Sequence, residues 1–88
     1  MEIPTSVKIG KRKWRVSREP TQRGVRGLCY PQPALIVRGS DDPYVFWHEL
    51  THAILHDMGE DWRNEKFVIG FSKRLTQAIQ TAKFNGKT

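Results

Sequence analysis

One stretch of this chain carries its own start and stop signals for a helix, and every other element has to be arranged around it. Asp42 precedes Pro43, and Gly59 follows an unbroken run from Pro43 to Met58. An aspartate side chain accepts the free amides of a first helical turn, and proline at the first helical position gives up an N–H that has no partner. A glycine just past the last turn takes the left-handed stop. The pattern predicts a helix over 43–58. Asp61 can cap a second helix over 62–82, where Phe67, Val68, Phe71, Leu75, Ala78, Ile79 and Ala82 share one apolar face expected to point inward. Phe84 to Thr88 reads as a frayed tail.

Residues 1–39 read as strands and turns. Val7-Lys8-Ile9 and Trp14-Arg15-Val16 alternate apolar with polar around the turn Gly10-Lys11-Arg12-Lys13, which predicts an antiparallel pair. Leu28 to Tyr30 and Ala34 to Val37 form a second pair, broken by Pro31-Gln32-Pro33, whose prolines put that turn at a sheet edge. The expected class is α+β: a small antiparallel or mixed sheet from the N-terminal half, packed on two main helices, in one domain spanning 1–88.

Size and composition narrow the function. A chain of 88 residues makes one small core, so fixing by a metal or a partner is welcome. Its single cysteine, Cys29, excludes an internal disulfide and fits a reducing, cytoplasmic setting. No apolar run exceeds the length of Ala34 to Val37, far short of the ~20 residues of a membrane span, and no leader pattern opens the chain. Fifteen Lys and Arg against nine Asp and Glu give a net charge of +6, which favours an acidic partner. The basic residues are strung along turns and strand edges rather than gathered on one recognition element, and Asp41 to Glu65 forms an acidic block between basic ends. That layout argues against nucleic-acid binding as the main function.

The chemistry lies in the first helix. His48-Glu49-Leu50-Thr51-His52 is an HExxH pentapeptide. Residues four apart stand one turn above each other, about 6 Å along the axis, so both imidazoles can reach one ion. Glu49 projects about 100° to the side, placed to take a proton from a water activated by that ion and pass it to a leaving amine. A catalytic zinc takes three protein ligands and one open position. After His52 the candidates are His56, Asp57, Glu60, Asp61 and Glu65. His56 stands about 12 Å along the axis from His48, too far to share the ion. Asp57 points to another face, and Glu60 and Asp61 lie in the turn. A second helix starting near Asp61 and folding back antiparallel returns Glu65, about one turn in, to the level of His52.

His48-Glu49-Leu50-Thr51-His52 followed by a glutamate on the next helix resembles the gluzincin metallopeptidases. The order of strands, HExxH helix, Gly59 turn and Glu65 helix is similar to the minimal gluzincins, the ImmA/IrrE-like peptidases, and short HExxH proteins of phages and prophages. The likeness covers about Leu28 to Ala82. It implies one zinc ion held by His48, His52 and Glu65, Glu49 as general base and acid, peptide or protein substrates, and a place in the cytoplasm, the host's if phage-encoded. It further implies that Ala34 to Val37 is the edge strand that aligns an extended peptide. The metzincin pattern fails, because the position six after His52 is Met58.

Other residues carry weaker signals. Tyr30, Tyr44 or His56 can donate to a developing oxyanion, although packing is the simpler role for the tyrosines and surface exposure for the histidine. Cys29 reads as a small core residue, and Trp14, Trp47 and Trp62 as core or helix-flank anchors. The alternative to a peptidase is a non-catalytic binding module with structural or no zinc, whose Lys11-Arg12-Lys13 turn contacts an acidic protein or nucleic acid.

Overall fold

The computed structural model describes residues 2–83; the tail expected at 84–88 lies outside the described residues. Four strands, β1 (Ser6–Ile9), β2 (Arg12–Arg18), β3 (Gly27–Tyr30) and β4 (Leu35–Arg38), precede two helices, α1 (Pro43–Met58) and α2 (Glu65–Thr81). The strands form one mixed sheet in the order β1-β2-β4-β3. β1 pairs antiparallel with β2, β2 parallel with β4, and β4 antiparallel with β3. The chain is an α+β fold with its sheet in the N-terminal half.

β2 shows why one face of the sheet is covered. Its exposure alternates, with Trp14 and Val16 buried between exposed Lys13 and Arg15, the period-2 signature of a half-buried strand. Those two side chains join Ile9, Ala34, Ile36, Phe46 and Ala53 in a core between the sheet and α1. In β4 both Ile36 and Val37 are buried, as befits a strand with neighbours on both sides. β4 is therefore an interior strand, correcting the expectation that residues 34–37 form the edge. The edge beside α1 is β3, because the crossover from β2 skips a place that β4 later fills. The β3–β4 turn contains a cis Gln32–Pro33 bond and Ala34 in the left-handed region at φ 67.

α1 has the expected limits. Asp42 Oδ1 accepts from Tyr44 N at 3.0 Å. At the other end Gly59, at φ 77, donates to His56 O, and Glu60 N donates to Leu55 O, the paired bonds that close a helix through a left-handed glycine.

α2 departs from expectation twice. It begins at Glu65 rather than 62, capped by Asn64 Oδ1 accepting from Phe67 N at 3.1 Å, while Asp61 accepts from Arg63 N inside the turn. Its buried stripe is Val68, Ser72 and Thr76, whereas Phe67, Ile69, Phe71 and Ile79 are exposed. The reason is that among the described residues α2 packs on α1 alone and meets no strand, so only a narrow strip is covered. Small side chains suit that close approach, and the Ser72 and Thr76 hydroxyls are satisfied by donating to Val68 O and Ser72 O.

Candidate metal centre

The 59–64 turn carries the chain back so that Glu65, the first residue of α2, faces the second and third turns of α1. Glu65 Oε1 lies 3.2 Å from His48 Nε2, and Oε2 lies 3.4 Å from His52 Nε2. One donor atom from each residue falls within 4.8 Å of the others. Donors around a tetrahedral ion with bonds of ~2.0–2.1 Å stand about 3.3 Å apart. His48, His52 and Glu65 are therefore close enough to hold a metal ion.

The far nitrogens of both rings are also engaged. His52 Nδ1 donates to the Trp62 carbonyl at 2.5 Å, and because a carbonyl only accepts, that nitrogen must carry the proton. In the neutral ring the lone pair then sits on Nε2, facing the Glu65 carboxylate. Two acceptors 3.4 Å apart repel unless a cation or a proton lies between them. His48 Nδ1 is 3.1 Å from the Tyr44 hydroxyl, so its Nε2 is likewise turned to the cluster. Burial, reinforced by His52, lowers the His48 pKa against the opposing pull of Glu65, which favours the neutral ring that can ligate a cation. The donor set fits a borderline cation whose imidazole ligands are oriented by outer hydrogen bonds.

Glu49 lies beside these three candidate ligands, buried under β3. Burial, and next the Glu65 charge, push its carboxyl up to about 7; a cation in the cluster would lower it again. Gly27, the first residue of β3, makes this approach possible. A Cβ there would lie 2.9 Å from Glu49 Cγ and from Val45 Cγ1. Two hollows flank this point, one of about 490 Å³ and one of about 200 Å³, and Gly27, Glu49 and Glu65 line both. Together they form a groove along residues 24–29, with the His48–His52–Glu65 cluster where the two hollows meet.

The other candidates separate clearly. Tyr44 joins the site through His48. Tyr30 is exposed at the far end of β3, and His56 packs edge-on against Trp62 at 5.6 Å; neither lines the groove. The Asp57 carboxylate sits against Gly10 at the β1–β2 turn, and Glu60 and Asp61 are exposed. Cys29 lines the smaller hollow, its thiol pushed up to about 12 by burial and by Glu49. Trp14 is core, Trp47 is half-buried against Phe46, and Arg12, expected in the basic turn, is instead the first residue of β2 and donates to Pro31 O at 2.6 Å. Sequence reasoning missed Gly27 and the Trp62 carbonyl, which have no side-chain signature. It also missed Tyr44 as the partner of His48, although its i−4 spacing was a usable signal.

Comparisons with protein-family models, with curated proteins and with solved structures find no match for this chain. Among the described residues no helix is long and apolar enough to cross a membrane.

Proposed function

We propose that the chain is a zinc-dependent peptidase of the gluzincin type. The observation that carries this reading is the convergence of His48 Nε2, His52 Nε2 and the Glu65 carboxylate next to a buried, independent carboxyl group, Glu49, at the edge of a sheet. Two imidazoles and one carboxylate are a ligand set that leaves one position open on zinc. A bound zinc ion supplies Lewis acidity to a water molecule and to a peptide carbonyl.

The chain's own groups do the remaining work. Trp62 O and Tyr44 hold the two rings with their Nε2 atoms inward. Glu49 takes the proton from the attacking water and delivers it to the departing amine, a two-way task suited to a carboxyl near neutrality. The free edge of β3 offers main-chain groups to an extended substrate. Zinc also ties α1 to the start of α2, which stabilises a core this small. The proposed setting is the cytoplasm, the host's if the chain is phage-encoded, where a lone thiol stays reduced.

The test is hydrolysis of a quenched fluorogenic peptide library by zinc-loaded protein and by the Glu49→Gln variant. The expected result is turnover by the native chain and a loss of about 10²–10⁴-fold in the variant with zinc retained. Zinc bound with no turnover, or equal turnover in both proteins, contradicts the reading and favours a binding module.

A further inference from the structure

The two hollows meet at Glu49 and Glu65, and those are the only acids lining either of them. Glu65 belongs to the ion and Glu49 to proton transfer. Every other charged side chain in the groove is a cation: Arg26 and Lys73 on one side, Arg63 on the other.

These cations differ in how free they are. Arg26 Nη2 is bound to Asp42 Oδ2 at 2.8 Å, and its guanidinium lies over the Tyr44 ring at 6.0 Å. Arg63 is held over the Trp62 ring at 5.1 Å and meets no carboxylate within ion-pair distance among the described residues. Lys73 has neither an acidic partner nor an aromatic one among the described residues. Beside Lys73 the larger hollow is walled by Val25, Val45 and Ile69, an aliphatic surface. Lys73 stands two turns along α2 from Glu65, about 12 Å, a length spanned by about three to four extended residues. The lysine stem shortens that to about two or three.

We infer that the groove selects acidic peptides: a glutamate-class side chain, two or three residues from the scissile bond, lays its stem on Val25 and Ile69 and gives its carboxylate to Lys73, while an acidic residue across the bond meets Arg63. This rests on the peptidase reading above for the position of the scissile bond. An unpaired cation beside the groove both attracts a carboxylate and repels a lysine, so the selection works through repulsion as well as attraction. The surplus positive charge of the whole chain steers the same substrates inward.

The test uses two fluorescently labelled peptides, identical except for Glu or Lys at the flanking positions. Binding is read by anisotropy on zinc-loaded Glu49→Gln protein, and cleavage on zinc-loaded native protein. The Glu peptide is expected to bind at least about tenfold tighter, with the contrast shrinking at high salt. Lys73→Glu, a change at an exposed helix position, should reverse the order, and Lys73→Ala should remove most of the contrast. Equal binding of the two peptides, tighter binding of the Lys peptide, no binding of either, or an unchanged preference in Lys73→Glu overturns the inference. Preferential binding of the Glu peptide without cleavage sustains the charge selection while refuting hydrolysis. Equal binding and equal cleavage of both does the reverse.

Discussion

Gly27→Ala separates local preference from tertiary packing, because the two predict opposite signs. Gly27 is outside the left-handed region, so alanine fits its backbone. On strand preference and unfolded-state entropy alone the change should stabilise by about 0.4–1 kcal/mol. Packing opposes this. The added Cβ would lie 2.9 Å from both Val45 Cγ1 and Glu49 Cγ and 3.0 Å from Glu49 Oε2, where carbon contacts are comfortable at about 3.5–4.0 Å. Val45 is 2% exposed and Glu49 is buried, so neither can retreat into solvent. Either β3 lifts off α1 or Glu49 swings away, an overpacking cost of about 1–3 kcal/mol. At the midpoints of the two ranges, about 2 against about 0.7 kcal/mol, packing wins by about 1.3 kcal/mol, which is a fall in Tm of roughly 5–10 °C for a domain of this size. Thermal unfolding followed by circular dichroism, with a chelator present so that metal contributes nothing, measures it. A variant as stable as the native chain, or more stable, would refute the close approach of β3 to Glu49.

Three further outcomes are expected. Free zinc at about 100 times its Kd should stabilise the native chain by about 2.7 kcal/mol, raising Tm by more than about 10 °C, whereas Glu65→Ala should reduce the shift to a few degrees. Equal shifts in calorimetry would remove Glu65 from the site. In urea unfolding Phe46→Ala should lose about 3–5 kcal/mol, because Phe46 is 1% exposed in the core, while Phe71→Ser on the open face of α2 should change stability by less than about 1 kcal/mol; similar losses would mean that α2 is covered. Cys29, raised from 9.0 to about 12 chiefly by burial, should alkylate at pH 8 roughly 10³-fold more slowly in the folded chain than in urea. Since the folded value is the higher one, the unfolded chain loses its proton first, and Cys29 should lower stability progressively as pH rises above 9.0. Equal alkylation rates would contradict its burial.

What the sequence disclosed and what it withheld follow from the range of the interactions involved. The limits of α1 were readable because Asp42, Pro43 and Gly59 act on their own neighbours. His48, Glu49 and His52 were readable for the same reason, since one helix sets their spacing. Strand order was not, because nothing local to β2, β3 or β4 names a partner, and the choice of β3 as the edge is made by a parallel β2–β4 pairing between distant segments. The face of α2 was misjudged because Phe67, Phe71 and Ile79 repeat at helical spacing as a core stripe would. Only the absence of a strand beside α2 leaves them exposed. Glu65 was reachable by elimination, but its place as the first residue of α2 depends on the Asn64 cap prevailing over Asp61.

Elemental analysis of the purified protein decides whether His48, His52 and Glu65 together hold one zinc ion, as proposed. About one zinc per chain is expected, lost on substitution of either histidine by alanine and lost or sharply weakened in Glu65→Ala. A native chain free of zinc under non-chelating conditions, or zinc retained at full stoichiometry in all three variants, would contradict it.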